Sequence, residues 1–549
     1  MRAEWCQTPF DARRRRRPAR LAAAVLALAG LVAACTGDSD DPDDPGAVDV
    51  PSEPVDGGTL RIGLGGPVLI DPLDASLASA SDLMVLDLLH DGLARLSADG
   101  TPQPALAASW APSAARDSWE FTISSEATFS DGEPITATDV VASLERVAAA
   151  GTGSLAALRL EQIAGFRALV DGSADHLSGL TAPDPATVRI ELTSPMSILP
   201  QLLASPVFGI VDVAAMEAVG EEGADLSELA LSGAWEPASF DDGVLLLDRR
   251  GDDGHLDSIE LTEHDDVEAA YEAFEDGDVD WAAVPADEVE SAVERHGDEH
   301  FAPFHAVVYF GLNVDAPALG SIELRRAIAA AIDREAIVEA VYADVADPLP
   351  VIVPAGLGGH SGRGCEACGY DPDRAEELLA EAFPDGDLPE VHVDFDDSAD
   401  QTEMAELVVE QLEAVGIPAT PRPRSIEDYE RFVVSGEQEL FSFGWIGVYA
   451  SPDAYLATQF AGDAPDNVTG FASPVVDKLL AAARSSEAPA GRLAAWADAE
   501  HAVLEAAVVV PILQFRTQVV AADRVQGLTH AIDGSVDWRD VWLADASAS

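Results

Sequence analysis

Lysine is all but missing from this chain: Lys478 is the single one among 549 residues. Cysteine is scarce as well, at four, and no apolar run reaches the ~20 residues that a membrane-spanning helix needs. Neither a Gly-rich phosphate loop nor a G-x-S-x-G elbow occurs, which removes the common nucleotide-binding and serine-hydrolase signatures. The deepest shortage is of positive charge. The chain carries 31 Lys and Arg against 99 Asp and Glu, a formal net charge of −68. Setting aside the seven arginines and two acids of residues 1–34 leaves 24 against 97, or −73. Such a field repels phosphate backbones and excludes nucleic acid as a partner. The acids are spread along the whole chain, so they read as a solvated surface suited to high salt, where self-repulsion is screened, in preference to a dedicated trap for cations.

What positive charge there is gathers near the N-terminus. Arg13 to Arg17 and Arg20 precede an apolar stretch of fourteen residues, 21–34, which ends Leu31-Val32-Ala33-Ala34-Cys35. Length and flanks describe a secretory signal and not a membrane span. Small residues directly before a cysteine resemble the bacterial lipobox, in which cleavage leaves that cysteine first and its sulfur carries a diacylglycerol. Cys35 is then the lipidated anchor on the outer face of the cell membrane. Residues 35–58 are rich in Asp, Pro and Gly with little to bury, which predicts a solvated acidic tether. Cys6 leaves with the signal, so Cys365 and Cys368 are the only thiols remaining. An oxidising compartment favours a disulfide between them, closing a ring so short that it restrains the unfolded chain by only ~2 kcal/mol. The alternatives are redox exchange, or zinc with His360 as a third ligand; a structural zinc site takes four ligands, and no second cysteine pair exists.

About 500 residues remain after export, enough for two to four lobes. Residues 59–63 read as an opening strand, and 82–96 as a helix with Leu83, Leu86, Leu89 and Leu93 on its apolar side. Trp119, Phe121 and Ile123 alternate with polar neighbours in a half-buried strand, and Thr136 with Asp139 forms a capping box for a helix through Val147. From Ser321 the pattern turns helical, Asp333 caps a second helix, and Asp371-Pro372 opens a third that runs through Phe383. Strand 391–395, helix 402–415 stopped by Gly416, and a return strand from Ile417 make a βαβ unit, which implies a mainly parallel sheet with ligands at its carboxyl ends.

Several strings follow one another in an order that names a family. They are Pro104-Ala105-Leu106-Ala107-Ala108-Ser109-Trp110, Trp119-Glu120-Phe121-Thr122-Ile123, and Phe129-Ser130-Asp131-Gly132-Glu133-Pro134-Ile135-Thr136-Ala137. Gly277-Asp278-Val279-Asp280, Leu312-Asn313, Leu324-Arg325-Arg326-Ala327 and Ala331-Ile332-Asp333-Arg334 come next, then Gly369-Tyr370-Asp371-Pro372, Gly444-Trp445 and the stretch from Asn467 to Pro474. From residue 58 to about 542 the chain resembles the family 5 extracellular solute-binding proteins of ABC importers, the dipeptide, oligopeptide and nickel type. The resemblance implies an α/β, two-lobed periplasmic-binding-protein-like fold (type II, cluster C) with an extra N-terminal α+β subdomain. It implies lobe I from 59–96, 185–310 and 520–549, the subdomain from 97–184, and lobe II from 311–519. Function follows as capture of a peptide or other small solute between lobes that close on a hinge, and delivery to an ABC permease, by a monomer without catalytic residues, metal or cofactor. A solute-sensing receptor uncoupled from uptake is the alternative on the same fold.

The resemblance also carries site residues. Gly444, Trp445 and Ile446 fall where members meet an extended ligand with their main chain, with Trp445 as an aromatic wall; Val448 and Tyr449 continue that stretch, and Tyr309 aligns with a second lining aromatic. Core packing is the other reading for Trp445 and Tyr309. One departure stands out: peptide-specific members place an aspartate three residues after the Trp to pair with the peptide ammonium, and Val448 stands there instead. Leaving an ammonium buried without a counter-charge costs several kcal/mol, which disfavours a free amino terminus unless an acid such as Asp453 moves in. Ser124 likewise replaces an arginine common in the family. Against the binding reading stands one enzymatic pattern, His296-Gly297-Asp298-Glu299-His300, which fits the H-x-x-E-H of inverted zinc peptidases. That chemistry needs both histidines on one helical face, and Gly297 weakens such a helix by ~1 kcal/mol, so a solvated turn is the expectation.

Overall fold

Two six-stranded sheets divide the molecule, and the chain passes between them twice. The structure, a computed structural model, describes residues 53–75, 80–97, 100–151, 154–219, 229–342, 345–365, 368–447, 449–464, 466–486 and 488–545. The signal segment, Cys35, most of the tether and Val448 lie outside the described residues.

In the first sheet the order is Val519–Ala521, Trp281–Ala283, Thr59–Leu64, Ser258–Glu263, Val244–Arg249, Trp235–Asp241. Thr59–Leu64 runs parallel to both neighbours, so it is a central strand, and Leu60, Ile62 and Leu64 are buried in the lobe's core. Arg61, between them in sequence, projects to the other side. Its backbone N–H, Nε and Nη2 donate to Asp280 at 2.9, 3.0 and 2.7 Å, and Arg524 adds Nε and Nη2 at 2.9 and 2.7 Å. Burial pushes the Asp280 carboxyl up, but these hydrogen bonds outweigh it and hold the group below the usual range.

The second sheet is ordered Ala346–Pro348, Val509–Arg516, Pro303–Leu312, Leu440–Ile446, Val391–Asp396, Ala419–Arg424. Its edge is the expected βαβ unit: Val391–Asp396 and Ala419–Arg424 pair in parallel, joined by the helix Ala399–Ala414. That helix stops at Gly416, whose φ of 87° is the left-handed conformation a helix C-terminus asks for. Between the first and second passes through the first sheet sits a four-stranded antiparallel subdomain, Ala107–Pro112, Ser118–Ile123, Thr187–Glu191 and Leu180–Asp184. The helix Ala137–Ala149 packs on it, begun by the Thr136–Asp139 capping box read from sequence.

Three boundaries differ from expectation. The helix expected over 82–96 is Ala80–Leu89, followed by the short strand Ala94–Leu96, because the chain must turn at Gly92: a Cβ there would lie 2.9 Å from the Leu203 carbonyl oxygen. The subdomain runs to Glu191 instead of 184, since Thr187–Glu191 is sandwiched between two of its strands. Lobe I ends before 303 instead of at 310, because Pro303–Leu312 is a central strand of the second sheet.

The two crossings therefore lie between Ala283 and Pro303 and between Arg516 and Val519. They run side by side, tied by one threonine. Thr517 N–H donates to Ala302 O at 2.8 Å, while its Oγ1 accepts from Ala302 N at 2.9 Å and donates to His300 O at 2.9 Å. The first crossing carries the helix Val289–His296, and Val284, Phe301, Thr517 and Gln518 are buried where the two run together.

Candidate functional site

On the second lobe, Leu440–Ile446 and Pro303–Leu312 pair antiparallel, with Val307 opposite Trp445 and Tyr309 opposite Phe443. Side chains alternate across a strand, so Val307, Tyr309 and Trp445 share one face while Ala306, Val308, Phe310 and Ile446 pack on the other. Pairing with the outer strand Val391–Asp396 covers only Leu440 and Phe441. The structure thus brings Tyr309 and Trp445 together, with Tyr449 in the same cluster, and turns the Ile446 side chain away from them.

All three aromatics are buried and their polar tips are engaged. Tyr309 OH donates to Ile352 O at 3.0 Å, Trp445 Nε1 to Ala454 O at 2.6 Å, and Tyr449 OH to Asp453 Oδ2 at 2.7 Å. Burial raises the Tyr309 and Tyr449 phenols far above their usual range, so both stay neutral donors. Asp453 is committed too. Arg484 grips it through Nε at 2.5 Å and Nη2 at 3.1 Å, and the carboxylate in turn holds the Arg484 guanidinium above its usual range. An acid already neutralised by an arginine and a tyrosine is in no position to move in as counter-charge for a ligand ammonium, the role sequence had left open for it.

Facing this wall is a residue that sequence reading passed over. Arg159, at the end of the subdomain helix Leu155–Arg159, holds its guanidinium carbon 5.9 Å from the centroid of the Trp445 ring, within cation–π range.

The first lobe contributes a cavity of about 360 Å³, a volume suited to a small solute. Its lining includes Asp87, Asp91, Arg95, Trp235, Trp538 and Arg539. Elsewhere the units approach one another closely: a Cβ at Gly100 would lie 3.9 Å from the Ala450 Cβ, and a Cβ at Gly356 would lie 3.8 Å from Ile532 Cδ1. Charge in the cavity lining is unbalanced. Five acidic side chains, Asp87, Asp91, Asp253, Asp537 and Asp540, share the lining with two guanidiniums, Arg95 and Arg539. Burial pushes Asp91 up to about 6 despite the opposing pull of Arg95, Arg539 and Arg250. Asp87 is driven well above the usual range by burial, with Asp533 and Asp91 adding to it. The Trp538 indole N–H has no hydrogen-bond partner among the described residues. One sequence signal existed: Asp87 is the only polar residue in the run Leu83-Met84-Val85-Leu86-Asp87-Leu88-Leu89.

The remaining sequence candidates fall elsewhere. Cys365 and Cys368 form a disulfide with Cα atoms 5.0 Å apart, and His360 Nδ1–H donates to Val353 O, 2.8 Å away, so the zinc alternative for that trio is overturned. In the H-x-x-E-H stretch the helix Val289–His296 ends at Gly297, leaving His300 off its face. His296 Nε2 sits 2.6 Å from Glu275 Oε1, and Glu299 is solvent-exposed. Among the described residues no group of three or more His, Cys, Asp or Glu is placed to hold a metal.

A doubly crossed pair of α/β lobes with an added subdomain is the architecture of a solute-binding protein. The chain belongs to the bacterial extracellular solute-binding proteins, family 5, whose middle-region profile matches residues 101–467. It is similar to the dipeptide-binding protein DppE of Bacillus subtilis, 22% identical over 481 residues that cover 83% of this chain and 87% of that one. The periplasmic oligopeptide-binding protein OppA of Escherichia coli is 24% identical over 463 residues, covering 80% and 84%. Among solved structures, the unliganded open form of the periplasmic murein tripeptide binding protein MppA superposes with a TM-score of 0.80 at 22% identity, covering 90% of this chain and 99% of that one. The two-lobed α/β fold expected from sequence is therefore shown, and with it the substrate-binding role.

Proposed function

We propose that this protein captures a peptide or other small solute between its lobes outside the cell and hands it to the membrane permease of an ABC importer, without catalysing any reaction. Its anchor is a diacylglycerol on Cys35, and its acidic surface keeps the monomer soluble in high salt. The observation that carries the reading is the doubled crossing tied by Thr517, with the Trp445 wall on one lobe and the cavity at Asp91 on the other. A solute that touches both walls has its full set of contacts only when the lobes are shut, so binding shifts the population toward closure. Gly444 and Ile446 supply main-chain groups and Trp445 and Tyr309 a fixed apolar wall, the division of labour by which extended ligands are held with little side-chain selectivity. The relatives' names point to peptides, which supports that class first.

The mature chain, purified in high salt and denatured, releases its bound solutes for mass spectrometry, and a thermal-shift panel then ranks peptides against sugars and metal chelates. A ligand at ~100 times its dissociation constant adds about 2.7 kcal/mol. Solution scattering that finds one unchanging particle under every solute in the panel overturns the closing-cleft reading. For the anchor, Cys35→Ser shifts the protein from the detergent phase to the aqueous phase; unchanged partitioning removes the lipid.

A further inference from the structure

Arginines buried in this fold are satisfied by the fold itself. Arg325 donates to the carbonyls of Leu319, Ala506 and Ala507, Arg334 to those of Pro511 and Cys368, and Arg484 to the Asp453 carboxylate. Arg159 is different. Its Nε is buried without a hydrogen-bond partner, the one arginine nitrogen in that condition among the described residues. The residue as a whole is only half-buried, at the boundary between subdomain and second lobe. Asp466, Glu161, Asp453 and the Tyr449 phenol lie near enough to act on it electrostatically, but Asp453 is taken by Arg484. Burial lowers its pKa from the usual arginine value, the sign of a cation whose surroundings do not replace the water it has lost. A guanidinium remains charged under such conditions.

Position adds to this. The Trp445 ring holds the guanidinium from one side, while the indole N–H is committed to Ala454 O and does not compete for an anion. A planar cation fixed against an aromatic and still carrying free donors matches the two oxygens of a carboxylate. We propose that Arg159 is a specificity-determining residue of the cleft, pairing with a carboxylate of the bound solute against the Trp445 wall. This rests on the solute-binding reading above and goes beyond it by fixing the charge of the ligand group met at this wall.

The test uses the full mature chain, Arg159→Gln and Arg159→Lys, titrated with trialanine, N-acetylated because Val448 offers an ammonium no counter-charge, and with its C-terminal carboxamide; near-UV circular dichroism shows that each variant keeps its tertiary packing. The expected result is that trialanine loses about ten- to hundredfold in affinity on going to Arg159→Gln, with part regained by Arg159→Lys. The carboxamide binds the native chain correspondingly weakly and loses nothing further in Arg159→Gln. Equal binding of the two peptides by the native chain, or an equal loss of both in Arg159→Gln, overturns the proposal while leaving solute binding intact, the second result marking Arg159 as a closure contact only. Should the folded native chain bind neither peptide, the peptide class fails and the co-purified solutes decide. Carboxylates depleted from Arg159→Gln uphold the role of Arg159, and a solute set without carboxylates overturns it.

Discussion

Buried carboxylates in two regions of the molecule, the sheets and the first-lobe cavity, are treated in opposite ways. Asp453 behind the aromatic wall, Asp280 in the first sheet and Asp394 in the second are each neutralised within the chain: by Arg484, by Arg61 with Arg524, and by Arg422 with Arg424. Asp87 and Asp91 at the first-lobe cavity have no such ion pair among the described residues, and burial drives both upward. Compensated carboxylates hold the fold in one register, whereas uncompensated ones around a cavity cost stability once they ionise.

The largest effect that would break this contrast is at Asp280. Asp280→Asn leaves two guanidiniums facing an amide at a position 1% exposed, and urea unfolding should show a loss of about 3–5 kcal/mol. The depressed pKa sets a pH signature: the stabilisation from this carboxylate is present above its unfolded value near 3.9 and is lost as pH falls through the lower folded value, so the native and variant curves converge in strong acid. Asp453→Asn should cost somewhat less, about 3 kcal/mol, because the amide oxygen still accepts from Tyr449. A variant as stable as the native chain would mean that the wall is not preorganised by the Arg484 pair.

Smaller again is the disulfide. Cys365→Ser with Cys368→Ser should lower stability by about 2 kcal/mol and leave solute affinity unchanged, since the ring is short and local. The remaining effect has the opposite sign. Asp91 has a raised folded pKa, so its carboxyl destabilises the fold as pH rises from about 4 to about 6 and stays unfavourable above. Asp91→Asn is therefore expected to raise the stability against urea at pH 7, by up to about 3 kcal/mol, and to change little at pH 4. A loss of stability at pH 7 would show that the cavity carboxylates are compensated after all.

Much of the fold was legible because it depends on local chemistry. The capping box at Thr136 and Asp139, the βαβ unit around Gly416 and the alternation at Trp119, Phe121 and Ile123 each rest on neighbours in sequence, and each appears where expected. Boundaries set by distant contacts were not legible. The helix after Ala80 ends at Leu89 because Gly92 passes against the Leu203 carbonyl, more than a hundred residues away in the chain. Asp453 carried no sign that Arg484 already held it, and Arg159 lies in a short helix with no motif to mark it.

Taken alone, the order of residues determined the overwhelming negative charge, the family strings and the alternation that makes each strand two-faced. Only tertiary structure decided which charges are matched and which are left over, because ion pairs such as Arg61 with Asp280 join residues 219 apart in sequence. Compensation of a buried charge is a property of the space around it, and that space exists only once the lobes have folded.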